Sequence, residues 1–251
     1  MTTLPRKKNR KHRTSKPFNN ENKWLRARNS ILANWSFWTS CCIGIAMISY
    51  TDGASYFCVL TTFVASIYLG YEIHRKTHIR DITSSYENLD NPIINRLVKY
   101  FPKLESIIRR VISHGDFHNN VHHDSNVNKE PCNALVEVYQ NLLSEGLIAA
   151  AMCYWLRPAL TICGATLKPH IPTIIFWSLL YTSVHNINYT IINPSEHINH
   201  HLFPNTNFGI DLMDILCDTK CEPEGFELLN HAVPNIIVIT MIILYAQHML
   251  R

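Results

Sequence analysis

Charge is scarce in this chain. Only 17% of its 251 residues are Asp, Glu, Lys or Arg, against about 25% in an average soluble domain. Glycine is also rare, at 8 residues, which excludes collagen-like and glycine-rich linker classes. There are 8 cysteines, at 41, 42, 58, 132, 153, 163, 217 and 221, with no regular framework. In a chain this long that pattern reads as reduced thiols rather than a disulfide scaffold. With 47% hydrophobic residues, the composition also excludes an intrinsically disordered chain.

Acid is nearly missing from the first 28 residues. They carry ten Lys and Arg against Glu21 alone, a net of +9, whereas the rest of the chain sums to −5. Residues 1–28 therefore read as a basic tail, and 29–251 as a separate, membrane-embedded body. A basic arm can bind nucleic acid or flank a membrane span on the cytosolic side. The tail is too long, and lacks a small-residue cleavage site, to read as a secretory signal.

The long apolar stretches beyond the tail decide between those readings. Ile31–Tyr50 and Ala54–Tyr71 contain no charge and are separated only by Thr51, Asp52 and Gly53. Each approaches the roughly 20 residues that cross a bilayer core. Leu142–Thr166 is apolar apart from Glu145 and Arg157, with Pro158 expected to kink it. Ile171–Ile192 is uncharged and interrupted by His185. A fifth apolar stretch, Val233–Met249, is expected either to span or to lie on the surface. The expected fold is all-α: an integral-membrane bundle of four helices, with a possible fifth, under a cytosolic histidine-rich helical cap. Within Asp81–Asn133, apolar residues recur at helical spacing, which predicts two amphipathic surface helices. Four or five such spans leave no place for a soluble nucleic-acid binder.

Histidine is the residue in excess, at 14. Nine fall in groups on the inferred cytosolic side. His74 and His78 are four apart, and so are His114, His118 and His122, with His123 alongside. His197 stands three and four residues before His200 and His201. Such spacings place imidazoles on one helix face. His185 stands alone inside a span, where an ionisable residue is functional by default. Imidazole suits iron, zinc or copper, and ten ligands are enough for two ions. The cysteines do not pair with histidines at zinc-finger spacing.

These boxes resemble the fatty acid hydroxylase/sterol desaturase superfamily over roughly residues 55–220. The likeness is strongest at His197-Ile-Asn-His200-His201, then Asn207-Phe208-Gly209, then Asp214 to Thr219. The resemblance implies a non-haem di-iron centre held by His74, His78, His114, His118, His122, His123, His185, His197, His200 and His201. It implies O2 as co-substrate and a membrane lipid, acyl chain or sterol, as substrate. Electrons are expected from an external reductase through a cytochrome b-type donor, and the expected setting is the endoplasmic reticulum membrane. The chain departs from the pattern in three ways. Its second box is HxxxHH, Met213 and Asp218 replace a Trp and a Gly, and His78 and His118 lie far apart. His114 precedes the part of the box that matches. Asp116, Asp124, Glu196 and Asp211 are expected to accept N–H groups of the ligand rings. The alternatives are an acyl-chain or plasmalogen-type desaturase, or a non-catalytic metal-binding membrane protein derived from the family.

Overall fold

A computed structural model describes residues 22–79, 131–148, 161–162, 165–166, 169–203, 205–221 and 225–251. The basic tail up to residue 21, the expected surface helices and the box from His114 to His123 lie outside the described residues.

The described chain is helical apart from one minimal ladder. Helix α1 is Lys23–Ala33, α2 is Trp35–Asp52 and α3 is Tyr56–Ile79. Helix α4, Pro131–Leu142, runs on into a π-helical turn, Leu143–Ile148. Helix α5, Ile171–Ser183, passes through a second π turn, Val184–Asn188, into α6, Tyr189–Ile192. Helices α7 (Ser195–Leu202) and α8 (Asp211–Leu216) are short. Helix α9, Val233–Met249, comes after a 3-10 turn at Leu229–Ala232.

The α2–α3 hairpin forms where the three-residue break predicts it. Gly53 takes φ 66, the left-handed conformation that glycine adopts without penalty. Gly53 N–H donates to Tyr50 O and Ala54 N–H to Ser49 O, closing the helix end. At the other end of α2 the expected span from Ile31 is interrupted. The chain bends by 73° between α1 and α2. Buried Asn34 sits at the break: its Nδ2 donates to Ser30 O and Glu227 O, and its Oδ1 accepts from Leu229 N–H. Asn230 bridges the break: its Oδ1 accepts from Phe37 N–H at 3.4 Å and its Nδ2 donates to Ala33 O at 3.0 Å, an insertion that permits the kink. The first apolar helix therefore starts at Trp35.

The expected span Leu142–Thr166 is also modified. Thr161–Ile162 pairs antiparallel with Ala165–Thr166, Ile162 opposite Ala165. Thr161, Ile162 and Thr166 are β-branched and suit a strand, and residues 149–160 and 163–164 of the expected span lie outside the described residues.

Tyr56–Lys76 and Leu229–Met249 are long and apolar enough to cross a membrane, and bent α1–α2 makes a third if counted as one span. The core joins Phe37, Cys41, Ile45 and Ile48 of α2 to Phe63 and Ile67 of α3, Phe176 and Leu180 of α5, and Ile236 and Ile239 of α9. The outer faces stay apolar as well: Ile43, Met47, Val64, Ile175, Val238, Met241 and Ile242 are exposed. Helices apolar on every side belong in a core or a membrane, and among the described residues these outward side chains have no core to enter.

Two sets of contacts fix the directions. At one end His170, ahead of α5, contacts Asp52 Oδ2 through Nε2 at 2.9 Å, and its N–H donates to Thr62 Oγ1. At the other end Asn188 Nδ2 donates to His231 O, and Asn235 Nδ2 to Ser183 Oγ. So α3 and α5 run away from the Gly53 turn, and α2 and α9 run towards it. Thr240 meets Gly44 halfway along. Helix α9 thus tracks the length of α2 instead of lying across an end.

Candidate metal centre

Five of the ten expected histidines have described side chains: His74, His185, His197, His200 and His201. All five meet at the end of the bundle away from the Gly53 turn. Helix α3 carries His74 there, about 27 Å from Tyr56 along its axis. The π turn after α5 carries His185, a geometry common at functional sites. Asn193, at φ 52, ends α6, and extended Pro194 starts α7, which brings the last three histidines back over the bundle.

The rings form a closed circuit. Centroid separations are 4.9 Å for His74–His200, 6.4 Å for His200–His197, 5.0 Å for His197–His185 and 6.4 Å for His185–His74. His201 adjoins this ring at 4.6 Å from His197, with the two Nε2 atoms 3.0 Å apart. His200 Nδ1 donates to Thr206 O at 2.6 Å. A carbonyl can only accept, so the proton sits on Nδ1 and the lone pair is on Nε2. Burial pushes His197 down to about 3 and His200 to about 4, and it also lowers His201. These imidazoles are neutral at pH 7, the form that binds a metal.

The ring opens on a pocket with about 680 Å³ of empty space, part of it continuous with solvent. Phe37, Trp177, Leu180, Val184, Phe208 and Leu229 form its apolar wall. Among the described residues alone, no three His, Cys, Asp or Glu side chains could hold a metal ion. The His78 side chain, and His114, His118, His122 and His123, lie outside the described residues.

The closing motif is a bracket around one carboxylate. Buried Asp214 accepts from Phe208 N–H at 2.9 Å, Gly209 N–H at 3.1 Å and Thr219 Oγ1 at 2.7 Å. Burial still pushes its carboxyl up to about 7, against those three donors. Thr219 Oγ1 also meets the Tyr71 hydroxyl at 2.9 Å, tying the motif to α3 one turn before His74. A Cβ on Gly209 would lie 3.1 Å from the Tyr71 ring, so this contact favours glycine. Asp218 takes φ 58, the left-handed conformation that glycine adopts without penalty. Aspartate tolerates that region better than most residues, and here it also pairs with Lys23 at 2.8 Å.

The carboxylates expected to hold ligand N–H groups have other partners. Asp211 accepts from Ser30 Oγ and pairs with the Lys220 ammonium, and Glu196 lies 3.9 Å from the same ammonium. A buried lysine beside them attracts both more strongly than a neutral imidazole does. Asp116 and Asp124 lie outside the described residues. Glu137 of α4 lies 3.6 Å from His185 Nε2. Tyr181 stacks on His185 at 5.5 Å and its hydroxyl meets His74 Nδ1 at 3.3 Å. Tyr189 packs on His197 at 4.8 Å and donates to buried Glu227. The spacing Tyr181, His185, Tyr189 was readable as one helical stripe, whereas Glu137 and Glu227 carry no local signal.

The chain matches no protein-family model, no curated protein and no solved structure.

Proposed function

We propose that this chain is a membrane-bound, O2-dependent non-haem di-iron oxidoreductase that attacks a C–H bond of a lipid. The observation that carries this reading is the ring of His74, His185, His197 and His200 at the mouth of an apolar pocket. The donor set suits iron: the rings are imidazoles kept neutral by burial. The 3.0 Å gap between His197 Nε2 and His201 Nε2 suits two donors sharing one ion. His78, His114, His118, His122 and His123 complete the proposed set of ten. In this reading the Leu142–Thr166 stretch and α5 join α2 and α3 as spans, and the histidines face the cytosol at the endoplasmic reticulum.

Iron with O2 supplies, when bound, the power to break an unactivated C–H bond, which protein acids and bases lack at neutral pH. The chain's own residues do the rest. Thr206 O holds the His200 ring in one tautomer, and the Asp214 bracket fixes the loop after α7. Phe37, Trp177, Leu180 and Val184 accept an acyl or sterol body from the bilayer side and exclude water. Hydroxylation consumes O2, two electrons and two protons and gives an alcohol and one water. Desaturation consumes the same and gives a double bond and two waters. The electrons come from a separate reductase and cytochrome b-type donor.

The test is metal analysis and lipid mass spectrometry on the full chain, wild type against His200→Ala/His201→Ala. Two irons per chain, lost in the variant together with a product, are expected. A gain of one oxygen identifies a hydroxylase, and a loss of two hydrogens a desaturase. Tightly held metal with no lipid product in any donor-supplied membrane would point to the non-catalytic reading instead.

A further inference from the structure

Helix α1 presents two unlike faces. Lys23, Ala27, Ser30 and Asn34 fall on one side and pack against the α8 region, through Lys23–Asp218, Ser30–Asp211 and the buried Ala27. Trp24, Leu25, Ile31 and Leu32 are exposed, and at 100° per residue they fall on one arc; Trp35, the first residue of α2, is exposed too. Trp24 is 74% and Trp35 65% exposed, unusual for the largest apolar side chains. The only charge within that arc is Arg28. Helix α1 is turned 73° away from α2.

We propose that α1 is a lipid-surface helix, its Trp24–Leu25–Ile31–Leu32 face sunk into the boundary between headgroups and acyl chains. The proposal rests on the membrane reading of α2, α3 and α9, though not on the metal centre. A helix turned this far from a spanning neighbour lies nearer the membrane plane than its normal. Trp24 near the start of α1 and Trp35 at its junction with α2 suit the interfacial belt. Arg28 can run its stem along the apolar surface and leave its guanidinium among lipid phosphates. The contact would hold the roof of the histidine pocket at a set depth, because α1 carries Ser30, the hydroxyl that meets Asp211 of the pocket wall.

The test uses the full chain in lipid nanodiscs, with the fluorescence of Trp24 taken as wild type minus Trp24→Phe. Phosphatidylcholine brominated near the top of the acyl chain is expected to quench this difference signal more strongly than phosphatidylcholine brominated near the chain end. Aqueous acrylamide is expected to quench it several-fold less than free tryptophan. Quenching by acrylamide with none by bromolipid overturns the proposal, and so does protection from both, which would mean that protein covers the face. Leu25→Glu/Leu32→Glu, also at exposed positions, is expected to open Trp24 to acrylamide; unchanged protection in that variant counts against lipid as the cover. Release of the whole chain from membranes by carbonate would instead defeat the membrane reading itself.

Discussion

His197 Nε2 and His201 Nε2 stand 3.0 Å apart across one turn of α7, each ring desolvated by the fold around it. One donates and the other accepts, so neither needs a proton from solvent. A lone pair of exposed histidines at this spacing would protonate near pH 6.5 and repel. Burial removes that competition, with His197 brought down to about 3 and His200 to about 4.

The first prediction concerns acid. A base with a lowered folded pKa stabilises the fold fully above its unfolded value, about 6.5. That contribution falls as the pH drops from there towards 4 and 3. Metal-free protein in detergent is expected to lose melting temperature steadily between pH 6.5 and 4, and His197→Ala to flatten that slope. A melting temperature that stays constant between pH 6.5 and 4 would show that these histidines are hydrated.

A second prediction tests the Asp214 bracket. Asp214→Asn keeps the shape but turns an amide NH2 towards backbone N–H donors that had a carboxylate oxygen. Leaving a buried donor unsatisfied costs about 1–3 kcal/mol. A lower melting temperature is expected, with Thr219→Ala milder, since the two backbone donors then keep their acceptor. Equal stability of Asp214→Asn and wild type would mean that the bracket is open in solution.

A third prediction rests on the left-handed conformation of Asp218, φ 58. Asp218→Gly relieves the backbone and loses only a partly exposed ion pair with Lys23, worth about 0–1 kcal/mol. It is expected to be neutral or slightly stabilising. Asp218→Ala loses the pair and keeps the strain, for a cost of about 1–2 kcal/mol. Thermal melting of the two variants separates these effects.

The fourth prediction concerns α2 against α9. A Cβ on Gly44 would come within 2.6 Å of Thr240 Oγ1. Gly44→Ala therefore forces the helices apart, at a cost of about 1–3 kcal/mol. Thr240→Ala removes the obstructing oxygen, so the double variant is expected to recover much of the loss. Simple additivity of the two melting shifts would mean that the helices do not meet there.

Much of this architecture was legible because it is local. The charge-free stretches mark α2, α3, α5 and α9, and Gly53 marks the hairpin, since helical periodicity and turn chemistry act over a few residues. Asn34 was not legible as a helix break. Its effect comes from Leu229 N–H and Glu227 O, almost 200 positions away in the chain. The strands at Thr161–Ile162 and Ala165–Thr166 were hidden for another reason: a short apolar run suits strand and helix alike.

The same division holds at the pocket. Sequence alone determined the spacing of His197, His200 and His201, and of His74 within its helix, because a helix converts intervals of three and four into one face. The resemblance pointed to Asn207-Phe208-Gly209 and to Asp214–Thr219, and the structure joins them through the Asp214 carboxylate. Only the tertiary structure decided that His74 faces His200, 4.9 Å away by ring centroid. It alone put Glu137 beside His185, and gave Asp211 and Glu196 to Lys220 instead of to the ligand rings. Those pairings join separate elements, and the packing of α3, α4, α5 and α7 at one end of the bundle sets them, not any interval along the chain.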